Sequence, residues 1–218
     1  MFDSITKYYP YLDTNAKKST RLFLLLNNIQ NYVNGSILEI RRLEKHRSEM
    51  RRFIARAHGG NFSRKNKFLH TYLACDTHFF FICIDKIYKL LHNLYEETGD
   101  VEIKSLETRI KDIFEIKTIR NHLEHIEDRC LGFLTPSRKK RVHISDFGNF
   151  IGDDFSFHGK RFPSSKKSLD EVRGVFKDLI KIIEKRCKKN PNFVKRQAID
   201  KDHREISRAL KKAGLLKY

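Results

Sequence analysis

The sequence is poor in glycine and proline, which account for 10 and 4 of its 218 residues. Proteins built from short strands and tight turns use both residue types often, because each supplies backbone conformations that other residues avoid. Their scarcity argues against such a design and favours long helices. Hydrophobic residues still make up 39% of the chain, including 17 phenylalanines, which argues against a disordered chain and predicts a folded core.

Long apolar runs are missing as well. The densest ones, LFLLL at 22–26 and HFFFICI at 78–84, fall far short of the roughly 20 residues that a membrane helix needs. The N-terminal residues do not show the basic start and apolar segment of a secretory signal. No cysteine belongs to a C-x-x-C pair; the four are Cys75, Cys83, Cys130 and Cys187. We therefore expect a soluble, cytoplasmic protein with reduced thiols and no membrane partner.

Negative charge is scarce relative to positive charge, and the formal net charge is +18. The excess is concentrated in two segments: 39–67 has ten Lys and Arg against three Glu, and 181–218 has thirteen Lys and Arg against four acidic residues. A solvated surface usually mixes the two signs, so these segments favour an anionic partner, RNA above all. The candidate RNA-binding residues are Arg41, Lys45, Arg51, Arg52, Lys185, Arg186, Lys188, Lys189, Lys195 and Arg196.

Apolar residues at spacings of three and four predict four long helices. They cover about 15–57, with a break or bend possible at Asn34-Gly35-Ser36, then 63–97, 101–128 and 168–188. Short connections between such helices favour an antiparallel four-helix bundle, an all-α fold.

Residues 130–163 differ in pattern, because apolar and polar residues alternate there and glycines punctuate the chain. We expect a small β-hairpin or two short strands, with HGK, 158–160, at the tip of the hairpin. The domain would then span 1–188 with this insertion, and 189–218 would form a basic C-terminal extension.

The third helical stripe ends in TIRNHLEHIEDR, 118–129. Ile119, Leu123 and Ile126 would face the core, while Asn121 and His125, four residues apart, would share a polar face. An Arg fork binds phosphate oxygens, His exchanges protons near neutral pH, and Asn can orient either group. With RNA the 2′-hydroxyl supplies the nucleophile, so this chemistry needs no metal and no cofactor. Arg-to-His spacing alone is weak support, since Arg41 and His46 repeat it.

Other side chains have both a functional and a structural interpretation. His70, Cys75, His78 and Cys83 share one helix, but their spacing fits no usual zinc cluster, and packing in the core is favoured. Asp76 and Asp85 either pair with basic groups of another helix or form an exposed stripe. The aromatic residues of the insertion either stack RNA bases or cover one end of the helices; they are Phe147, Phe150, Phe155 and Phe157.

The order RNHLEHIEDR, then FSFHGKRF at 155–162, then a last helix resembles a bacterial branch of the HEPN superfamily (higher eukaryotes and prokaryotes nucleotide-binding), whose motif is R-N-x-x-x-H. The resemblance covers roughly 60–188. It implies a helical bundle that forms a homodimer with the two motif helices facing each other. Catalytic members cleave RNA without metal, leave a 2′,3′-cyclic phosphate, and serve as toxins restrained by an antitoxin protein or in abortive infection and defence.

By this resemblance Arg120 and His125 are the catalytic pair and Asn121 positions them. The supporting residues are His122, Glu124, Asp128 and Arg129. The sequence departs from some related toxins at Glu127, where they carry Tyr. The alternative is a catalytically inactive HEPN-like module that binds RNA or a protein, and a purely structural helical dimer is a third interpretation.

Overall fold

A computed structural model of the chain describes residues 5–56, 64–116, 118–119, 149–157 and 160–193, together with Glu205 and Arg208. A 3-10 helix, Ile5–Tyr11, precedes three α-helices: α1 Ala16–Arg56, α2 Arg64–Thr98 and α3 Val101–Phe114. Three short strands follow, β1 Asn149–Ile151, β2 Asp154–Phe157 and β3 Lys160–Phe162, and then helix α4, Lys166–Cys187. The prediction of a mostly helical protein with a small antiparallel sheet before its last long helix is confirmed.

Helix α1 runs without a break through Asn34-Gly35-Ser36. The glycine serves packing there rather than a turn, because a Cβ atom at position 35 would lie 3.0 Å from the Sγ atom of Cys83 in α2. The hydroxyl of Ser36 donates to the Val33 carbonyl at 2.7 Å and is buried with it. The break that the sequence allowed at this point is therefore absent.

The buried faces of α1 and α2 follow the predicted stripes, including Leu22, Leu26, Ile29, Val33, Ile40, Leu43, Leu73, Phe80, Ile84, Ile87, Leu91 and Leu94. Two members of those stripes are exposed instead: Ile54 at 64% and Tyr72 at 49%. Both lie in the half of the α1–α2 pair nearer the connection between these helices.

Helix α3 is shorter than predicted. It begins at Asp100, whose carboxylate accepts from the backbone N–H of Glu102 at 2.9 Å, and it ends at Glu115, whose φ of 43° is left-handed. A left-handed residue closes a helix because it turns the chain out of the helical path. Ile116, Thr118 and Ile119 are helical again, so the prediction of one unbroken helix from 101 to 128 is wrong.

The sheet is a three-stranded meander in the order β1-β2-β3. Phe155 pairs with Phe150 on one side and with Phe162 on the other, and Gly152, with a φ of 64°, supplies the left-handed residue of the first turn. Phe157 pairs with Lys160, so Lys160 belongs to β3 and not to the tip predicted over 158–160. The other two predicted tip residues, 158 and 159, lie outside the described residues.

Helix α4 begins with a capping box. The Ser165 side chain accepts from the backbone N–H of Ser168, and the Ser168 side chain accepts from the backbone N–H of Ser165. It packs against α3 and α1, while α2 packs against α1 and α3. Beyond its end, Phe193 is buried against the rings of Tyr8 and Tyr11. In the described part of the chain, no helix has the length and apolarity that crossing a membrane requires.

Candidate functional site

The motif residues of the sequence analysis lie outside the described residues. They are Arg120, Asn121, His122, Glu124, His125, Asp128 and Arg129. Residues 130–148 of the insertion, Phe147 among them, and the side chains of Phe150 and Phe157 fall outside them too. The catalytic assignment therefore stays a prediction, and what can be described is the frame in which the motif begins.

That frame is set by the residues just before Arg120. The backbone N–H groups of Thr118 and Ile119 donate to the Glu115 carbonyl at 2.8 and 3.2 Å, so a new helical turn starts at Glu115. Ile116 and Ile119 are 3% and 1% exposed and belong to the main core. The turn that leads to Arg120 thus has one buried apolar side, formed by Ile116 and Ile119.

The approach to the motif also contacts the sheet. Lys160, the lysine of the FSFHGK stretch, places its Nζ atom 3.3 Å from the Glu115 carboxylate. Both side chains are more than half exposed, so this ion pair contributes little stability. It does show that β3 lies beside the turn from which the motif segment departs.

Exposed cations line the C-terminal half of α1. Arg41, Lys45 and Arg52 are exposed and make no ion pair within the described residues. Arg51, also exposed, lies 3.6 Å from the Asp153 carboxylate in the turn between β1 and β2. Four of the predicted RNA contacts are therefore on one helix and open to solvent.

One cation of that segment has a structural position instead. Arg47 is buried and donates to the backbone carbonyl and the hydroxyl of Ser164 at 3.0 and 2.9 Å. Burial lowers the pKa of its guanidinium, and Asp153 and Asp154 partly offset this effect. The pair fixes the start of α4 against α1.

The second set of cations lies at the other end of α4. Lys185 pairs with Glu102 at 2.9 Å, and Arg186 donates to the Leu12 carbonyl at 3.3 Å. Lys188 and Lys189 are exposed, whereas Lys195 and Arg196 lie outside the described residues.

Among the residues that the structure describes, the two basic sets are not brought together. Ser164, at the start of α4, contacts Arg47, and Arg186, 22 residues later, contacts Leu12. At about 1.5 Å of rise per residue, a helix of this length separates the two ends by about 30 Å.

A polar group lies between α1 and α2, of which sequence reasoning selected Asp76 but not its partner. The Nδ1 atom of His46 lies 2.8 Å from a carboxylate oxygen of Asp76, and the His46 ring stacks on Tyr72 with centroids 5.2 Å apart. Asp76 thus pairs with a basic group of another helix, one of the two roles considered for it. Asp85 instead pairs within its own helix, with Lys89 at 2.6 Å. The interruption of an apolar run by Asp76 was the sequence signal for this contact.

Two carboxylates are buried in the same region. Glu39 and Asp76 are 8% and 7% exposed. Desolvation raises the pKa of Glu39, the Arg42 guanidinium opposes this, and the charge of Asp76 adds to it. Arg42 donates to Glu39 at 3.1 Å, so each carboxylate has a nitrogen partner.

The cysteine and histidine residues of α2 are spread over different environments. Cys75 is exposed, so the expectation that it packs in the core is wrong. Burial lowers the pKa of His78 and raises the pKa of Cys83 to about 11. The His70 side chain lies outside the described residues. Within those residues, no group of three or more His, Cys, Asp or Glu could hold a metal ion.

The described aromatic residues of the sheet cover the helices. Phe155 and Phe162 lie 6.2 and 6.4 Å from the ring of Phe81, and Phe162 is fully buried. Both rings therefore pack against α2, one of the two roles considered for Phe155.

Comparison of the chain with protein-family models found no match. Comparisons with curated proteins and with solved structures found none either.

Proposed function

We propose that the protein is a metal-independent endoribonuclease of the HEPN type, acting as a homodimer. The RNA 2′-hydroxyl would attack the adjacent phosphate, and the products would carry a 2′,3′-cyclic phosphate and a 5′-hydroxyl. The cellular role we propose is that of a toxin or a defence protein, restrained by an antitoxin protein.

The observation that carries the proposal is the burial of Ile116 and Ile119 in a helical turn that begins at Glu115. If the helix continues as the sequence predicts, positions four and seven residues after Ile119 share its buried side, and these are Leu123 and Ile126. Arg120, Asn121 and His125 then lie on the other side, where a second copy of the chain could meet them.

The order of elements supports the same proposal. Four helices with a small sheet before the last one are the parts that the resemblance requires, and we propose that they form a four-helix bundle. Because Lys160, the last residue of the FSFHGK stretch, pairs with Glu115, β3 lies beside the start of the motif segment. A hairpin that borders a catalytic groove would lie in this position.

Each proposed side chain has a defined part in the reaction. One His125 removes the proton of the 2′-hydroxyl or donates a proton to the leaving 5′-oxygen, for which an imidazole is suited near neutral pH. Arg120 stabilises the negative charge that develops on the phosphorane. Asn121 orients one of the two. Arg41, Lys45 and Arg52 hold the RNA backbone.

A silent RNA-binding module is the second candidate, because the exposed cations of α1 are compatible with binding without cleavage. It predicts salt-dependent RNA binding that does not change in the His125→Ala variant.

The test is cleavage of a labelled RNA in the presence of EDTA. We expect wild type to cleave, and Arg120→Ala and His125→Ala each to lose at least about a hundredfold in rate, the lower end for removal of an acid–base group. Matched controls are Arg21→Ala and His92→Ala, whose side chains are 63% and 48% exposed elsewhere on α1 and α2.

The controls should cleave like wild type. Cleavage that needs an added metal, or that persists in both motif variants, would contradict the mechanism.

A further inference from the structure

An exposed face on α1 and α2 combines aromatic rings with cations. We call it the aromatic face and define it by Leu38, Arg42 and Lys45 of α1 and by Tyr72 and Phe79 of α2. Leu38, Tyr72 and Phe79 are 48%, 49% and 52% exposed. Large apolar side chains grouped on a surface mark a site of interaction more often than isolated ones do.

Two contacts between the helices place these residues together. His46 meets Asp76 and Tyr72, and Gly35 approaches Cys83, so the two helices run antiparallel along this stretch. Phe79 lies between the two contact points on α2. Leu38 and Arg42 lie between them on α1, eight and four residues before His46 respectively, and therefore on its side of the helix.

Tyr72 is held as a flat platform. The His46 ring stacks on it at an interplanar angle of 24°, and His46 is itself fixed by Asp76 at 2.8 Å. A ring whose position is already fixed loses little conformational entropy when a second ring stacks on it. About half of Tyr72 remains open to solvent for this purpose.

The charge of the face is positive. Arg42 and Lys45 are exposed, Arg41 lies at the margin, and Lys86 is exposed on α2 beyond Phe79. The carboxylate of Glu39 is buried and pairs with Arg42 itself, and that of Asp76 is buried and pairs with His46, so the excess positive charge lies on Lys45, Arg41 and Lys86. Glu49, half-buried one turn after Lys45, is an acidic neighbour that a polyanion would have to tolerate.

We propose that the aromatic face binds single-stranded RNA, with bases stacked on Tyr72 and Phe79 and phosphates held by Arg42, Lys45 and Arg41. Aromatic rings interleaved with cations are the combination by which proteins bind single strands without regard to sequence, because every base has a stacking surface. The choice of RNA as ligand rests on the proposed function, but binding at this face does not require cleavage.

The test uses the full chain and a fluorescein-labelled 2′-O-methyl oligouridylate of about 12 nucleotides, within the usual range of site sizes for single-strand binders. A 2′-O-methyl strand has no free 2′-hydroxyl, so the proposed reaction cannot consume it. Fluorescence anisotropy gives Kd at several salt concentrations.

We expect Tyr72→Ala and Phe79→Ala each to raise Kd about tenfold, the loss of roughly one stacked base. Tyr72→Phe should bind like wild type, because it keeps the ring. In the Arg42→Gln and Lys45→Gln double variant the salt slope should fall by about 1.4, since each contact to a single strand contributes about 0.7. Glu49→Gln should tighten binding.

Matched controls lie at the far end of α1. Leu24, 51% exposed, is the aliphatic control as Leu24→Ala, and Lys17, exposed, is the charge control as Lys17→Gln. Neither should change Kd. Thermal unfolding of each variant, followed by circular dichroism, separates lost binding from lost folding.

Unchanged Kd values for Tyr72→Ala and Phe79→Ala would overturn the proposal. So would equal binding of a double-stranded RNA of the same length, whose bases cannot stack on side chains. An acidic amphipathic helical peptide that binds and loses affinity with Phe79→Ala, while RNA does not, would identify the face as a protein-docking surface instead.

The two proposals fail separately. Binding of the oligonucleotide without cleavage of natural RNA would leave this inference standing and contradict the nuclease. Cleavage of natural RNA, together with normal binding by Tyr72→Ala and Phe79→Ala, would support the nuclease and contradict this inference.

Discussion

At the scale of single residues, one close contact between α1 and α2 requires a glycine. Gly35 has no Cβ, and an added one would sit 3.0 Å from the Cys83 Sγ atom, a distance that carbon and sulfur do not tolerate without movement. Glycine in a helix interior otherwise costs about 1 kcal/mol relative to alanine. Its presence here is therefore explained by the helix contact.

Gly35→Ala is predicted to couple with Cys83→Ala. Alone, the alanine meets the sulfur, and an overpacking cost of about 1–3 kcal/mol cancels or exceeds its helix preference. With Cys83→Ala the sulfur is gone and the preference remains. Chemical denaturation should give a coupling energy of at least about 1 kcal/mol in favour of the double variant.

Gly174→Ala is the control for that cycle. Its Cβ would lie 3.3 Å from Nη2 of Arg109, the end of a flexible side chain that can move aside. This variant alone should be neutral or more stable by up to about 1 kcal/mol. Additive effects of the Gly35 and Cys83 changes would contradict the packing explanation.

The thiols should differ in reactivity. Burial raises the pKa values of Cys83 and Cys187 to about 11, so both are protonated at pH 8 and lack the reactive thiolate. Cys75 is exposed. Iodoacetamide labelling read by peptide mass spectrometry should modify Cys75 first among these three.

The same pKa values set a dependence of stability on pH. Because each folded-state pKa lies above the ordinary 9.0, the unfolded chain loses these protons first as the pH rises. The contribution to the free energy of unfolding is full below about pH 9 and declines from there towards pH 11.

For the labelling experiment, modification of Cys83 as fast as that of Cys75 at pH 8 would contradict the burial of Cys83.

At the scale of elements, the end of α3 decides how the motif segment is presented. Glu115 has a φ of 43°, in which a residue with a side chain is strained by about 1 kcal/mol and glycine is not. The left-handed residue separates helix α3, Val101–Phe114, from the turn that carries Ile116 and Ile119.

Glu115→Gly is predicted to stabilise the protein by about 0.5–1 kcal/mol in urea unfolding, less the small contribution of the exposed Lys160 pair. Lys111→Gly, at an exposed position inside α3, is the control and should cost about 1 kcal/mol. If Glu115→Gly costs as much as Lys111→Gly, the helix is continuous and the break is wrong.

At the scale of the whole molecule, helix positions and most of the core could be predicted from the sequence, because each long stripe of apolar residues has one period and one buried side. Leu26, Ile84 and Val172 are examples. Ile54 and Tyr72 could not, since the end of a stripe does not reveal where the neighbouring helix stops covering it. The break at Glu115 could not either, because a charged residue in a continuing stripe carries no sign of a left-handed backbone.

The candidate site divides in the same way. Ile119, the residue before Arg120, is buried as predicted. The separation of the two basic segments by the length of α4 required the fold, as did the pairing of His46 with Asp76. Residues such as Lys185 and Arg186 were selected by charge, and charge alone does not distinguish a phosphate contact from an ion pair within the protein.

The most direct measurement of the central claim is the identity of the ends that the protein leaves on a defined RNA in EDTA. Mass spectrometry should show a 2′,3′-cyclic phosphate on one product and a 5′-hydroxyl on the other, and a single 2′-deoxy substitution at the cut should abolish that cut. His125→Ala should yield neither product, while His92→Ala yields both. Products with a 5′-phosphate, or cleavage at the 2′-deoxy position, would contradict a reaction in which the 2′-hydroxyl is the nucleophile.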